Sequence, residues 1–344
     1  MWYLLRLLTQ GILAGFAGVG QHMSGNFAQP WVLVASAAIP SDVLWSYGVF
    51  GAVLAVGLAV IFLRGDWQKT PGVEKLLLLG PLFYAAPVAG FGTEHFTLAA
   101  GISSFVPKWM PWHLFWTYFV GACFIAAGFS LVTKIQARLA AGLLGLTFFL
   151  FVVLMDAPAW VQQPGNRIAA ALMMRELAFS GGGLALAATL TEPTRYSKNI
   201  LATIARYFVG VPILLYSIEQ FLHADRVPGV PLERVTPPYI YGHVLWAWVA
   251  ALVYGVGAIL LLVGKKTRDA ATLVGAAVLF VELVVYVPIA VVDRASLGNG
   301  FNYMADTLMF CGAVLLLAAA MPREAERVET QASHIPRAEA NVSA

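Results

Sequence analysis

GTEHFTLAAGISSFVPKWMPWHLFW runs from Gly92 to Trp116 and joins two long apolar stretches. Glu94 and His95 close the first stretch, VPKWMPW forms a short Pro/Trp loop, and His113 and Trp116 open the second. A span ended by polar residues, a tight loop and a second span read as a helical hairpin in a membrane. Ionisable groups at such places are costly unless they pair or function. Trp109, Trp112 and Trp116 have the amphipathic ring that settles at a membrane–water boundary, so anchoring alone accounts for them.

The whole chain follows this pattern. It has 344 residues, of which 60% are hydrophobic and only 11% charged. A soluble domain carries about 25% charged residues. Spanning runs near 20 residues recur, Leu/Ala/Val/Gly-rich and continuous, which points to an all-α polytopic membrane protein. A transmembrane barrel would alternate in short segments instead. The net charge of +3 is small and lies in loops, so the lipid bilayer is the expected partner and nucleic acid is not. Cys123 and Cys311 sit alone in apolar segments and form no C-x-x-C motif, which argues against a dithiol centre. MWYLLRLLTQ, with Arg6 inside the run and no small-residue cleavage pattern, reads as a retained helix.

Ten segments of spanning length are expected, near 2–22, 43–63, 76–96, 112–133, 137–157, 168–190, 201–222, 240–263, 269–290 and 303–321. Residues 322–344, charged and poor in large apolar side chains, read as a disordered tail. With the N-terminus inside, 15 of the 21 Lys and Arg fall on the inner side, in turns such as KIQAR and GKKTR. The positive-inside rule then places both termini in the cytoplasm of a cell inner membrane.

Internal similarity sets the organisation. Residues 113–190 align without a gap on 243–320 at an offset of 130, matching His113 with His243, Trp116 with Trp246, Arg138 with Arg268 and Pro158 with Pro288. Glu176 falls on Asp306, TEHF (Thr93–Phe96) echoes IEQF (Ile218–Phe221), and PSDVLWSY (Pro40–Tyr47) echoes PWHLFWTY (Pro111–Tyr118). The expected domains are a two-helix half unit at 1–63, four-helix units at 75–190 and 201–321, and the tail. Both four-helix units start on the same side, so they read as parallel repeats, unlike the inverted repeats of many transporters.

At GTEHF, VPKWMP, the H-x-x-W-x-Y helix start, the basic turn before Arg138 and the polar pair on the closing helix, the chain resembles the DoxX family of bacterial membrane proteins. The resemblance is best over 75–190, looser over 201–321, where Gln220 stands in place of the histidine, and partial over 1–63. It implies four-helix membrane bundles, and for some relatives a role as subunits of quinone-linked oxidation or as partners of redox enzymes.

The polar residues gather at one level. Glu94, His95, His113 and Asp156 lie at the outer ends of their segments, and Arg175 and Glu176 lie about 10 Å inward at 1.5 Å per residue. The second unit offers Glu219, Gln220, His223, His243, Tyr286, Asn302, Tyr303 and Asp306, with Glu282 alone in mid-segment. Neighbouring helix positions point about 100° apart, so pairing is expected between helices: Arg175 with Glu94 or Asp156, Glu176 with His95 or His113.

Three readings follow. The groups hold helices together, at about 0.6–2 kcal/mol per polar contact. Or they form an outward-facing quinone or small-anion site, with Glu94, His95, His113 and Glu176 catalytic and Arg175, Asp156 and Trp116 binding substrate. Or histidine pairs hold a haem or metal, which their shallow depth argues against, so no metal is expected. Glu219, His243, Glu282 and Asp306 are the second-unit candidates. The leading expectation is a membrane subunit of a quinone-linked oxidoreductase with a soluble redox partner. The alternative is a non-enzymatic scaffold or small-solute transporter. Gly181–Gly183 lack a preceding strand and so read as a close-approach site for helices, not a phosphate loop.

Overall fold

The structure, a computed structural model, describes residues 39–191, 195–230 and 233–322, with the backbone alone at 195–199. The expected span 2–22 and the tail from residue 323 onward lie outside the described residues. Among the described residues nine long helices follow one another: α1 (Ser41–Leu63), α2 (Glu74–Thr97), α3 (His113–Thr133), α4 (Ala137–Gln162), α5 (Arg167–Thr189), α6 (Arg195–Leu222), α7 (His243–Val263), α8 (Thr267–Val292) and α9 (Leu297–Ala320). No strand is formed among the described residues. Eight helices are long and apolar enough to cross a membrane, and α5, which carries Arg175 and Glu176, falls short. The surface agrees with this: α7 alone exposes Leu245, Trp246, Trp248, Leu252, Val256 and Ile259. Apolar surface on that scale belongs in lipid. The chain is therefore an all-helical, multi-pass membrane protein.

Three helices form the centre. α9 is buried along Met304–Ala318, and it packs on α2, α5 and α8. α2 also packs on α1 and α3, and α5 on α4 and α6. Consecutive residues of a helix point about 100° apart, and the three glycines of α5 use this to serve three neighbours. A Cβ at Gly181 would lie 2.7 Å from Val209 of α6, at Gly182 2.6 Å from Ala313 of α9, and at Gly183 2.7 Å from the Gly145 nitrogen of α4. The triplet thus lets three helices approach α5 at one level, as the sequence suggests.

The helix boundaries repeat at the spacing of 130. His113–Thr133 matches His243–Val263 end for end, and the regular part of α4, Ala137–Phe151, matches Thr267–Val281 of α8. Left-handed backbone occurs at Trp112, Lys134 and Gln136 and again at Gly242, Lys266 and Gly264, the same positions 130 residues on. Both α4 and α8 widen into a π turn, Val152–Asp156 and Glu282–Tyr286. Pro158 and Pro288 explain it: each lacks an N–H for the carbonyl four residues back and crowds it, and the wider turn moves that carbonyl aside. These turns were not foreseen, and they carry α4 to Gln162 and α8 to Val292. α9 likewise starts six residues before its expected position, through a π turn Leu297–Phe301 whose Asn299 N–H is met by the Ser296 hydroxyl.

The basic turns share one end of the bundle. Lys134 Nζ donates to Asp66 at 2.8 Å. Arg268 donates to Glu74 at 2.6 Å and to the carbonyls of Ala318 and Met321, both at 3.2 Å, which satisfies the open C-terminus of α9. The longer loops, 98–112 and 223–242, share the opposite end.

Candidate functional site

The polar cluster is built where α5 and α9 meet, toward the long-loop end. Asn166 caps α5, its Oδ1 accepting from the N–H groups of Ile168 and Ala169. Two turns on, Arg175 leaves the helix, and its guanidinium donates to Asp306 at 2.8 Å and to Glu176 at 2.9 Å. It also lies 6.0 Å above the Phe179 ring. Glu94 of α2 is 7% exposed and within electrostatic reach of both Arg175 and Asp306. Asp156, at the end of the α4 π turn, faces Arg175 and Glu176. One guanidinium is therefore surrounded by four carboxyl groups from α2, α4, α5 and α9.

Two tyrosines frame the cluster. The Tyr216 hydroxyl donates to the Ala171 carbonyl at 3.0 Å, and that of Tyr84 to the Phe179 carbonyl at 2.7 Å, so both are fixed to α5. Several atoms of the cluster have no hydrogen-bond partner among the described residues: Glu94 Oε1, Asp156 Oδ2, Glu176 Oε2, Arg175 Nε and Asn302 Oδ1. Buried polar atoms normally find partners, so this concentration marks a place where a proton, water or ligand completes the set.

A cavity of about 220 Å³ opens onto the ion pair. Ile168, Ala171 and Leu172 of α5 and Val230 of the loop give it an apolar wall. Arg175, Asp306, Asn302, Tyr303 and Glu233 give it a polar one. The 23% of the Arg175 side chain that remains accessible faces this space. Arg234 holds the loop over it, donating to Asn299 at 3.1 Å and lying 5.7 Å above the Tyr303 ring.

The expected pairings are corrected in two ways. Arg175 forms its ion pairs with Asp306 and Glu176, not with Glu94 or Asp156. Glu176 pairs with Arg175, not with a histidine, because the arginine is long enough to fold back on its own neighbour. The cluster also joins Asp306, a second-unit candidate, to the polar residues of 75–190. His95 turns to α3, donating from Nδ1 to the Phe91 carbonyl at 2.8 Å and meeting the Phe124 ring edge-on. His113 starts α3 with its carbonyl accepting from Thr117 at 3.0 Å. Trp116 packs edge-on to Phe115 and Phe119. Glu219 binds Arg167 at 2.9 Å and His223 at 3.6 Å at the rim, and His243 is exposed at the start of α7. Glu282 stands apart in α8.

Glu233 and Tyr216 were not picked out from the sequence. Tyr216, a phenol in the apolar second half of α6, carried a usable signal, whereas Glu233 is an ordinary loop acid by sequence. Chemically, the cluster is unsuited to a small oxyanion, because carboxylates already occupy both Nη atoms of Arg175 and Glu94 stands nearby. It suits a neutral hydrogen-bonding group or a proton.

Comparison with family models, curated proteins and solved structures finds no match. The fold and the site therefore rest on the chain's own residues.

Proposed function

We propose that the protein is a DoxX-like membrane subunit of a quinone-linked oxidoreductase system, and that the cavity between α5, α9 and the 223–242 loop receives the quinone head group. The observation that carries this reading is the two-sided cavity ending on the Arg175–Asp306 pair. A quinone ring is flat and apolar with a carbonyl at each side. The Ile168/Leu172 wall suits the ring, and Asn302 and Tyr303 are donors for the carbonyls. Drug-sized ligands fill about 300–1,000 Å³, so a space of about 220 Å³ suits a head group with its tail outside.

Quinone reduction takes two electrons and two protons. Among the described residues no dithiol pair or metal-ligating cluster is present, so a soluble redox protein supplies the electrons, and the Asp306–Glu176–Glu94 group relays the protons. In this reading the chain is two parallel four-helix units plus a two-helix half unit, ten spans in all, with the basic turns in the cytoplasm of an inner membrane. The matching helix ends and left-handed positions at a spacing of 130 support the two units.

The test is extraction into native-lipid discs, followed by mass spectrometry of bound small molecules and of co-purifying proteins. A quinone lost on Asp306→Asn, with the fold intact, supports the reading. A folded chain holding neither quinone nor redox protein overturns it and leaves Arg175 as a tie between α5 and α9.

A further inference from the structure

Glu282 is 1% exposed, opens the π turn Glu282–Tyr286, and has no hydrogen-bond partner on either carboxyl oxygen. It lies 15 residues from the start of α8 and 10 from its end, so near mid-span, about 22 Å and 15 Å from the two ends at 1.5 Å per residue. No Lys, Arg or His among the described residues forms an ion pair with it. Two buried polar groups lie within electrostatic reach of it, Cys311 of α9 and Tyr286 of its own helix, both 0% exposed. The Tyr254 hydroxyl also lacks a partner, and the Cys311 thiol is taken up by the Gly275 carbonyl at 3.4 Å.

Packing alone does not call for this acid. Val152 opens the matching π turn of α4, 130 residues earlier, so the turn forms without a carboxyl group. An unpaired acid at membrane depth is rare and functional by default. Tyr286 is within electrostatic reach of Glu282, and its hydroxyl donates to the Pro228 carbonyl at 3.4 Å. A Cβ at Gly229 would lie 3.3 Å from the Tyr286 hydroxyl and 3.5 Å from that of Thr307, so the backbone at Gly229 lies close over both.

We propose that Glu282 is an exchangeable proton-binding site inside the bundle. The proton comes from water and returns to it. The site stands on residues outside the quinone reading, and either can fail alone.

Dicyclohexylcarbodiimide, an apolar reagent that adds to protonated carboxyls, tests it on the intact chain in native-lipid discs. Peptide mass spectrometry should find the adduct on Glu282, with a yield falling about tenfold per pH unit above the midpoint. Glu282→Gln should abolish the adduct and Glu282→Asp should retain it. No adduct on the folded chain, or a yield that ignores pH, overturns the proposal. Suppression by Na⁺ but not by K⁺ at equal ionic strength also overturns it, in favour of a metal-cation site. Because the label is read on the wild-type chain, failure of a variant to fold leaves the test in force.

Discussion

Arg175 of α5 and Asp306 of α9 meet at 2.8 Å across the centre of the bundle, and the same guanidinium holds Glu176 at 2.9 Å. Removing the arginine leaves the Asp306 and Glu176 carboxyls without their cation. Breaking one side of a buried pair costs about 3–5 kcal/mol. Arg175→Met should lose that much in detergent unfolding. Arg175→Met combined with Asp306→Asn should lose about 1–3 kcal/mol less than the sum of the single changes.

The glycine triplet of α5 predicts a graded set. A Cβ at Gly181, Gly182 or Gly183 meets α6, α9 or α4 at 2.7, 2.6 and 2.7 Å, the last against backbone. Each change to Ala should cost about 1–3 kcal/mol by overpacking, with Gly183→Ala worst because a backbone cannot rotate out of the way. Gly142→Ala, with nothing within 4 Å, should be neutral or add up to about 1 kcal/mol of helix propensity.

Left-handed backbone distinguishes the two matched turns. Gly264 sits at φ 80°, where a side chain is strained and would also strike the Arg206 guanidinium. Gly264→Ala should cost about 1–2 kcal/mol, and Gln136→Gly, at φ 53°, should gain up to a similar amount. Thermal unfolding of the two variants checks both signs.

Asp66 gives a pH dependence at the basic end. Its carboxylate accepts a hydrogen bond from Lys134, which holds it below the ordinary carboxylate value of 3.8. A group depressed in the folded state adds stability above its unfolded value and loses it as pH falls through the folded one. Asp66→Asn should therefore differ slightly from wild type near neutrality, and that difference should vanish in acid, below the ordinary value. Unfolding midpoints measured down the pH scale show whether it does. The pair is exposed, so the effect is small and should shrink further in salt.

The spans were legible because hydropathy and basic turns are read one segment at a time. Gly181–Gly183 were legible for the same reason: close approach is the main use of three glycines in an apolar helix. The pairing of Arg175 was not legible, because partner choice depends on which helices touch. α5 packs on α9 and not closely on α2, so Asp306 reaches the guanidinium first and Glu94 stays at a distance. The expectation that adjacent helix residues pair only with other helices also failed here, since it describes Cβ directions and arginine reaches well beyond its Cβ. The π turns carried a readable cue in Pro158 and Pro288. Glu233 carried none, since only the folded loop brings it over Tyr303.

Glu176 and Asp306 are 130 residues apart, so they occupy matching positions, while the match of Arg175 is Ala305. One cation thus stands between two equivalent acids. Two identical chains paired about a symmetry axis would supply every such charge twice, giving either two arginines or none. A single polypeptide escapes that parity: one half keeps the arginine, the other keeps alanine, and the shared centre holds an odd count of positive charge. In the two-unit reading such a centre is asymmetric, which no pair of identical subunits could encode.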